Sequence, residues 1–175
     1  MEILFKILGI INLDIKTMIG ILFWGNLALA FLILRYYLYH EAGNEKTLIK
    51  WFGIAKILQA IAWFLLFMRG DISDIFSVYF GNILLFVGFY LDSLVILKIN
   101  TKTKRLWFQL QIVWLALSVI AFVFFEIWLG TGNIRIAIAS LSVFCIFVTP
   151  NLLNITNKLS SRFQKFIGFT SLLFL

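Results

Sequence analysis

The sequence predicts an all-α fold: a polytopic transmembrane helix bundle with five full spans, a partial or re-entrant sixth, and its amino terminus outside. Three observations lead there. Apolar segments of about 20 residues fill the chain from end to end, and a helix rising about 1.5 Å per residue needs about that many to cross a hydrocarbon core about 30 Å thick. The composition is 62% hydrophobic and 13% charged, with one proline and a mean hydropathy of +1.02. The connecting loops are alternately rich and poor in lysine and arginine.

Met1 to Leu13 is apolar but carries Glu2 and Lys6 and lacks a small-residue cleavage site, so an interfacial helix is expected rather than a removed signal peptide. Span one follows from about Thr17 to Leu38, closed by Arg35 and the tyrosines 36, 37 and 39, whose amphipathic rings suit the membrane interface. Span two covers about Leu48 to Met68 and span three about Ile75 to Leu97. Span four runs from Leu106 to Leu129, with Trp107 and Trp128 near its ends, and span five from Ile134 to Leu153. The last apolar stretch, Phe166 to Leu175, reaches only about 15 Å as a helix. It reads either as a short re-entrant tail or as the start of something longer, and the second is the expectation. No linker divides the spans, so residues 1–175 are expected to form one helical domain. Spans one to three and four to six share no convincing repeat.

Charge orients the bundle. Arg35, Lys46 and Lys50 follow span one; Lys98, Lys102, Lys104 and Arg105 follow span three; Lys158, Arg162 and Lys165 follow span five. That is ten of the fifteen basic residues, against Lys6, Lys16, Arg69 and Arg135 on the other face and Lys56 inside span two. The positive-inside rule therefore puts the three basic loops in the cytoplasm, as expected of a multi-pass protein of the inner (cytoplasmic) membrane. The net charge of +7 is explained by topology and anionic lipid, with the bilayer as the partner and no role for nucleic acid. Cys145 stands alone in a span and His40 has no companion ligand, so neither a disulfide framework, a metal site nor a cofactor site is expected.

An ionisable group within a span costs about 2.5 to 3.5 kcal/mol on insertion scales, so each needs a reason. Spans two and three join through a tight turn and should lie antiparallel. Counting from that turn sets Lys56 about 18 Å and Asp92 about 25 Å deep, a difference the lysine stem can cover. A Lys56–Asp92 ion pair is the sharper expectation; separate snorkelling to interfacial water is the plainer one. Ser77, Gly81, Gly88 and Asp92 fall within about 60° of one another on span three, a small-residue seam suited to helix packing. Lys56, Gln59 and Trp63 share a face of span two. Asn26 and Asn82 are expected to bond across helices or to line a pocket. Ser142, Cys145 and Thr149 share one side of span five ahead of Pro150, and Glu126 sits near the outer end of span four, within reach of water. Asp14, Arg69, Asp71, Asp74 and Arg135 should meet on the outer face. No base, nucleophile and orienting group fall at matching depth, so the chain is not expected to be an enzyme.

Three stretches carry a resemblance: Leu13-Asp14-Ile15-Lys16-Thr17 leading into span one, the segment Arg69-Gly70-Asp71-Ile72-Ser73-Asp74 through Asn82 entering span three, and Asn133-Ile134-Arg135 ahead of span five. The arrangement is similar to the amino-terminal multi-helix membrane region of bacterial diguanylate cyclases and sensor histidine kinases. It departs in having Ser73 where that turn usually has proline, and Lys16 where arginine is usual. The resemblance implies a sensor module coupled to a cytoplasmic signalling domain, with homodimerisation as a further option and the outer charged cluster as the mouth of any site. The sequence contains no output-domain signature. A small transporter or channel lined by Lys56, Asp92 and Asn82, and a membrane scaffold subunit, are the competing readings.

Overall fold

The computed structural model describes residues 15–39, 44–99, 104–156 and 160–173. Among them every regular element is helical. The helices are α1 (Ile15–Tyr39), α2 (Asn44–Phe67), α3 (Gly81–Ile99), α4 (Arg105–Leu129), α5 (Gly132–Thr156) and α6 (Arg162–Leu173); a π-helical stretch, Ile75–Phe80, leads into α3. Five of these units are long and apolar enough to cross a membrane: α1, α2 from Lys46, the π stretch with α3, α4 and α5. The chain is a multi-pass membrane protein. The expected interfacial helix at Met1–Leu13, along with Asp14 and His40, lies outside the described residues.

The helices follow from the apolar runs, and their ends from local chemistry. Gly130 closes α4 with φ 43°, a left-handed conformation that costs glycine little, and its N–H reaches the Phe125 carbonyl at 3.3 Å. Between α2 and the π stretch, Gly70 takes φ 92° and lets the chain reverse within a few residues. Span three does not begin as an α-helix. Gly81 N–H bonds back to Phe76 O, five residues earlier, and Ser77 Oγ donates to Ser73 O at 3.3 Å. Such wide turns are rare; this one brings both Ser77 and Val78 into the interior.

The last helix starts at Arg162, four residues before the apolar stretch at Phe166. Ser161 and Gln164 account for the earlier start. Gln164 N–H donates to Ser161 Oγ at 3.2 Å and Ser161 N–H donates to Gln164 Oε1 at 2.8 Å, a reciprocal capping box. Helix α5 continues through Pro150 to Thr156, beyond the expected end of span five at Leu153, and Asn154 in that extension is buried.

Helix α3 is the axis of the assembly. It packs against α2, α4 and α5, while α1 packs on α2 and α6 on α5. More than half of span three (56%) is buried, against 6% of α1, whose exposed apolar side chains face lipid. The seam residues explain how α2 comes so close. A Cβ on Gly81 would lie 3.2 Å from Leu66 Cγ, and one on Gly88 only 2.6 Å from Gln59 Cγ and 3.2 Å from the Ala55 carbonyl. Across the other face of α3, Val78, Phe86, Phe122 and Ile146 form a dry core. Phe86 meets Phe122 edge-on at 5.7 Å, and Phe89 meets Phe147 in the same manner.

Candidate functional site

Lys56 on α2 and Asp92 on α3 meet inside the bundle. Lys56 Nζ donates to Asp92 Oδ2 at 2.5 Å, and also to Gln59 Oε1 at 3.0 Å. Gln59 Nε2 in turn donates to the same Asp92 Oδ2 at 2.7 Å. The three side chains form a closed triangle in which amine and amide converge on one carboxylate oxygen. Lys56 Nζ also lies 5.0 Å from the centre of the Phe52 ring, a cation–π contact. With side-chain exposures of 12% and 9%, neither charge rests in water. The pair is tolerable in a low-dielectric setting because both charges are hydrogen-bonded. The second carboxylate oxygen, Oδ1, is buried and has no partner among the described residues.

Further polar groups lie at the same end of the membrane. Ser93 Oγ gives its one proton to Tyr90 O at 2.7 Å and lies 3.1 Å from the Gln111 side-chain amide on α4. Gln111 and Asn151 are fully buried, and Gln111 Nε2 and both polar atoms of the Asn151 amide have no partner among the described residues. Trp63 shares the Lys56 and Gln59 face of α2 but takes no part in the triangle. Sequence reasoning singled out neither Gln111 nor Asn151. Their depth is the signal that was there to read: each stands about two turns from the basic-loop end of its helix, as Asp92 does.

A cleft of about 1050 Å³ opens at this end. Its walls are Phe52 of α2, Val95 and Ile96 of α3, and Phe147 and Asn154 of α5. Tyr36 of α1 and Gln164 of α6 also border it. Asp92 is the lining residue of α3 farthest from the helix end, so the carboxylate sits at the floor. Toward the opposite end the interior is mostly apolar, with Ser77, Asn82, Ser118 and Ser142 buried there as isolated polar residues. Along α3 Phe86 lies beyond Asp92, along α4 Phe122 lies beyond Gln111, and along α5 Ile146 lies beyond Asn151; these are residues of the apolar core.

The outer-face cluster does not assemble as its sequence suggests. Lys16 Nζ lies 3.5 Å from Asp71 Oδ2, an exposed contact at the start of α1. Arg69 and Asp74 are also exposed. Arg135 turns away from them and forks onto Glu126, with Nε donating to Oε2 at 2.8 Å and Nη2 donating to Oε1. Glu126 is correspondingly enclosed and does not reach water, because the tight Gly130 turn folds the start of α5 back over the end of α4. Asn82 and Asn26 do not bridge helices. Each amide donates to the carbonyl four residues earlier on its own helix, Val78 O at 2.7 Å and Leu22 O at 2.8 Å. This local bond satisfies a polar side chain where no facing helix offers a partner.

No clustering of three or more His, Cys, Asp or Glu residues suited to a metal occurs among the described residues. Comparison with protein-family models, with curated proteins and with solved structures finds no match.

Proposed function

We propose that the chain is a non-enzymatic membrane input module of bacterial signalling type, in which the cleft at the basic-loop end faces the cytoplasm and a signalling partner. One observation supports this most: a buried, hydrogen-bonded Lys56–Gln59–Asp92 triangle underlies a cleft at one end only, while an apolar core occupies the bundle toward the other. A site of this shape binds and reports, and the charged groups on the far side of the core, Glu126 and Arg135, are tied to each other across one turn. Asp92 is tied to α2 and belongs to α3, the helix on which α2, α4 and α5 all pack. A change at the cleft floor therefore reaches three neighbours through one rigid element.

The transporter reading has one observation in its favour, an ion pair shared by two helices within the membrane. The two readings separate in proteoliposomes loaded with proton- and potassium-sensitive dyes. The input module gives no flux above protein-free vesicles. A flux of either ion that D92N abolishes would overturn the input reading and establish transport.

A further inference from the structure

We propose that the cleft is a binding site for an uncharged lipid bearing a hydroxyl head, of the monoacylglycerol class. The inference rests on the reading of the cleft as the receiving site of the module and adds its ligand class.

The floor is a built acceptor. Asp92 is about nine-tenths buried, with 7% of its surface exposed, and lines the cleft. Its Oδ2 is engaged twice, while its Oδ1 has no partner among the described residues. A buried acceptor left unpaired costs about 1 to 3 kcal/mol, a cost that a donor from a ligand removes. Asn154 stands on the facing wall, itself buried, and its side-chain amide offers both donor and acceptor capacity with no partner among the described residues. Between these two polar points the walls are Phe52, Val95, Ile96 and Phe147. Tyr36, Thr47, Lys98 and Gln164 also line the cleft, but the stretch between Asp92 and Asn154 is apolar, a pattern matching an acyl chain ending in a small polar head.

Charge selects among heads. Lys56 already neutralises Asp92, so the floor carries no net charge. An ammonium head would compete with Lys56 for the carboxylate and strand one buried cation. A carboxylate or phosphate head seated at the floor would meet the Asp92 oxygen as a like charge, away from Lys98 in the last turn of α3. Either outcome leaves a charge unpaired in a low-dielectric site. A hydroxyl donates to Oδ1 and disturbs nothing, and a glycerol head has a second hydroxyl for Asn154. The route in is through the bilayer: among the described residues α2 and α5 both pack on α3, with no extensive packing of one on the other.

The test is photolabelling of the full chain in nanodiscs with a diazirine-bearing monoacylglycerol, the labelled peptides being read by mass spectrometry. Labelling is expected on the segments 95–99 and 147–154, with at least five-fold competition by 1-monoolein and none by equimolar oleylamine or oleate. V95W, which fills the cleft, should reduce it at least five-fold. N154A, which leaves the volume and removes the second polar contact, should reduce it about three-fold, with helicity and elution profile confirming that each variant folds. Labelling spread evenly over lipid-facing helices, competition by oleylamine or oleate equal to that by monoolein, or indifference to both substitutions would overturn the lipid site. Absence of selective labelling in a bundle that carries no ion flux removes the lipid site alone. Selective labelling alongside ion flux keeps the lipid site and removes the input reading.

Discussion

The bundle holds two buried ion pairs, near opposite ends, and they are built differently. Lys56–Asp92 and Glu126–Arg135 are equally enclosed, with side-chain exposures of 12% and 9% in the first and 11% and 9% in the second. Glu126 and Arg135 are nine residues apart and meet across one turn. Arg135 engages both oxygens of its partner, a bidentate geometry that uses the whole carboxylate. Lys56 and Asp92 are thirty-six residues apart on different spans, they meet at a single oxygen, and the second oxygen is left over beneath a cleft. The space beside the outer pair is narrow, bordered by Phe122, Phe125 and Ile138. Equal burial therefore does not mean equal role. The outer pair is a clamp holding α4 to α5, with a donor, Arg135 Nη1, unpartnered among the described residues, and the inner pair is a clamp with an acceptor to spare.

Breaking each pair separates the two roles. R135A strands Glu126 in an enclosed site and should cost about 3 to 5 kcal/mol, the largest loss of any single change considered. E126L/R135L should recover most of it. Unfolding by SDS titration in mixed micelles measures both. D92A should cost less, about 2 kcal/mol, because the freed Lys56 head can extend along its stem toward the open cleft. K56L/D92L should again be milder than D92A alone. Losses for K56L and D92L that add without coupling would show that the triangle holds nothing together.

Packing beside the inner pair is more sensitive than packing at the outer turn. G88A places a Cβ against Gln59 Cγ and the Ala55 backbone, and should cost about 1 to 3 kcal/mol while shifting the Gln59 amide. G81A meets mainly the movable Leu66 side chain and should cost less than G88A. The smallest effect is expected at the solvated rim: D71N removes an exposed contact to Lys16 and should change stability by less than about 0.5 kcal/mol. The same titration ranks all three.

The contrast also marks what is legible in a membrane sequence. Spans were readable because about 20 apolar residues have one economical outcome in a bilayer. Depth was readable too, since counting along antiparallel helices brings Lys56 and Asp92 within reach of each other. Rotation about the helix axis was not readable. Arg135 was assigned to the outer charges by its height, whereas the rotation set by the Gly130 turn points it at Glu126. Asn82 and Asn26 were expected to bond across helices or line a pocket because an amide within a span needs partners, yet the carbonyl one turn back serves as well. The π-helical start of span three depends on where Gly81 N–H and Ser77 Oγ find acceptors, which periodicity does not encode. Gln111 and Asn151 were overlooked since each is one uncharged polar residue among several in its span, although counting from the helix ends already sets them near the depth of Asp92.

The central claim is that the polar cluster is reached from one end of the bundle alone, and cysteine accessibility tests it directly. In a C145S background, cysteines at Asn154, which borders the cleft, and at Ile146, in the apolar core, are exposed to a membrane-impermeant thiol reagent from each side of oriented vesicles. The account predicts modification of N154C from the basic-loop side only, and none of I146C from either side. Modification of I146C, or of N154C from both sides, would show a continuous aqueous path and contradict the account.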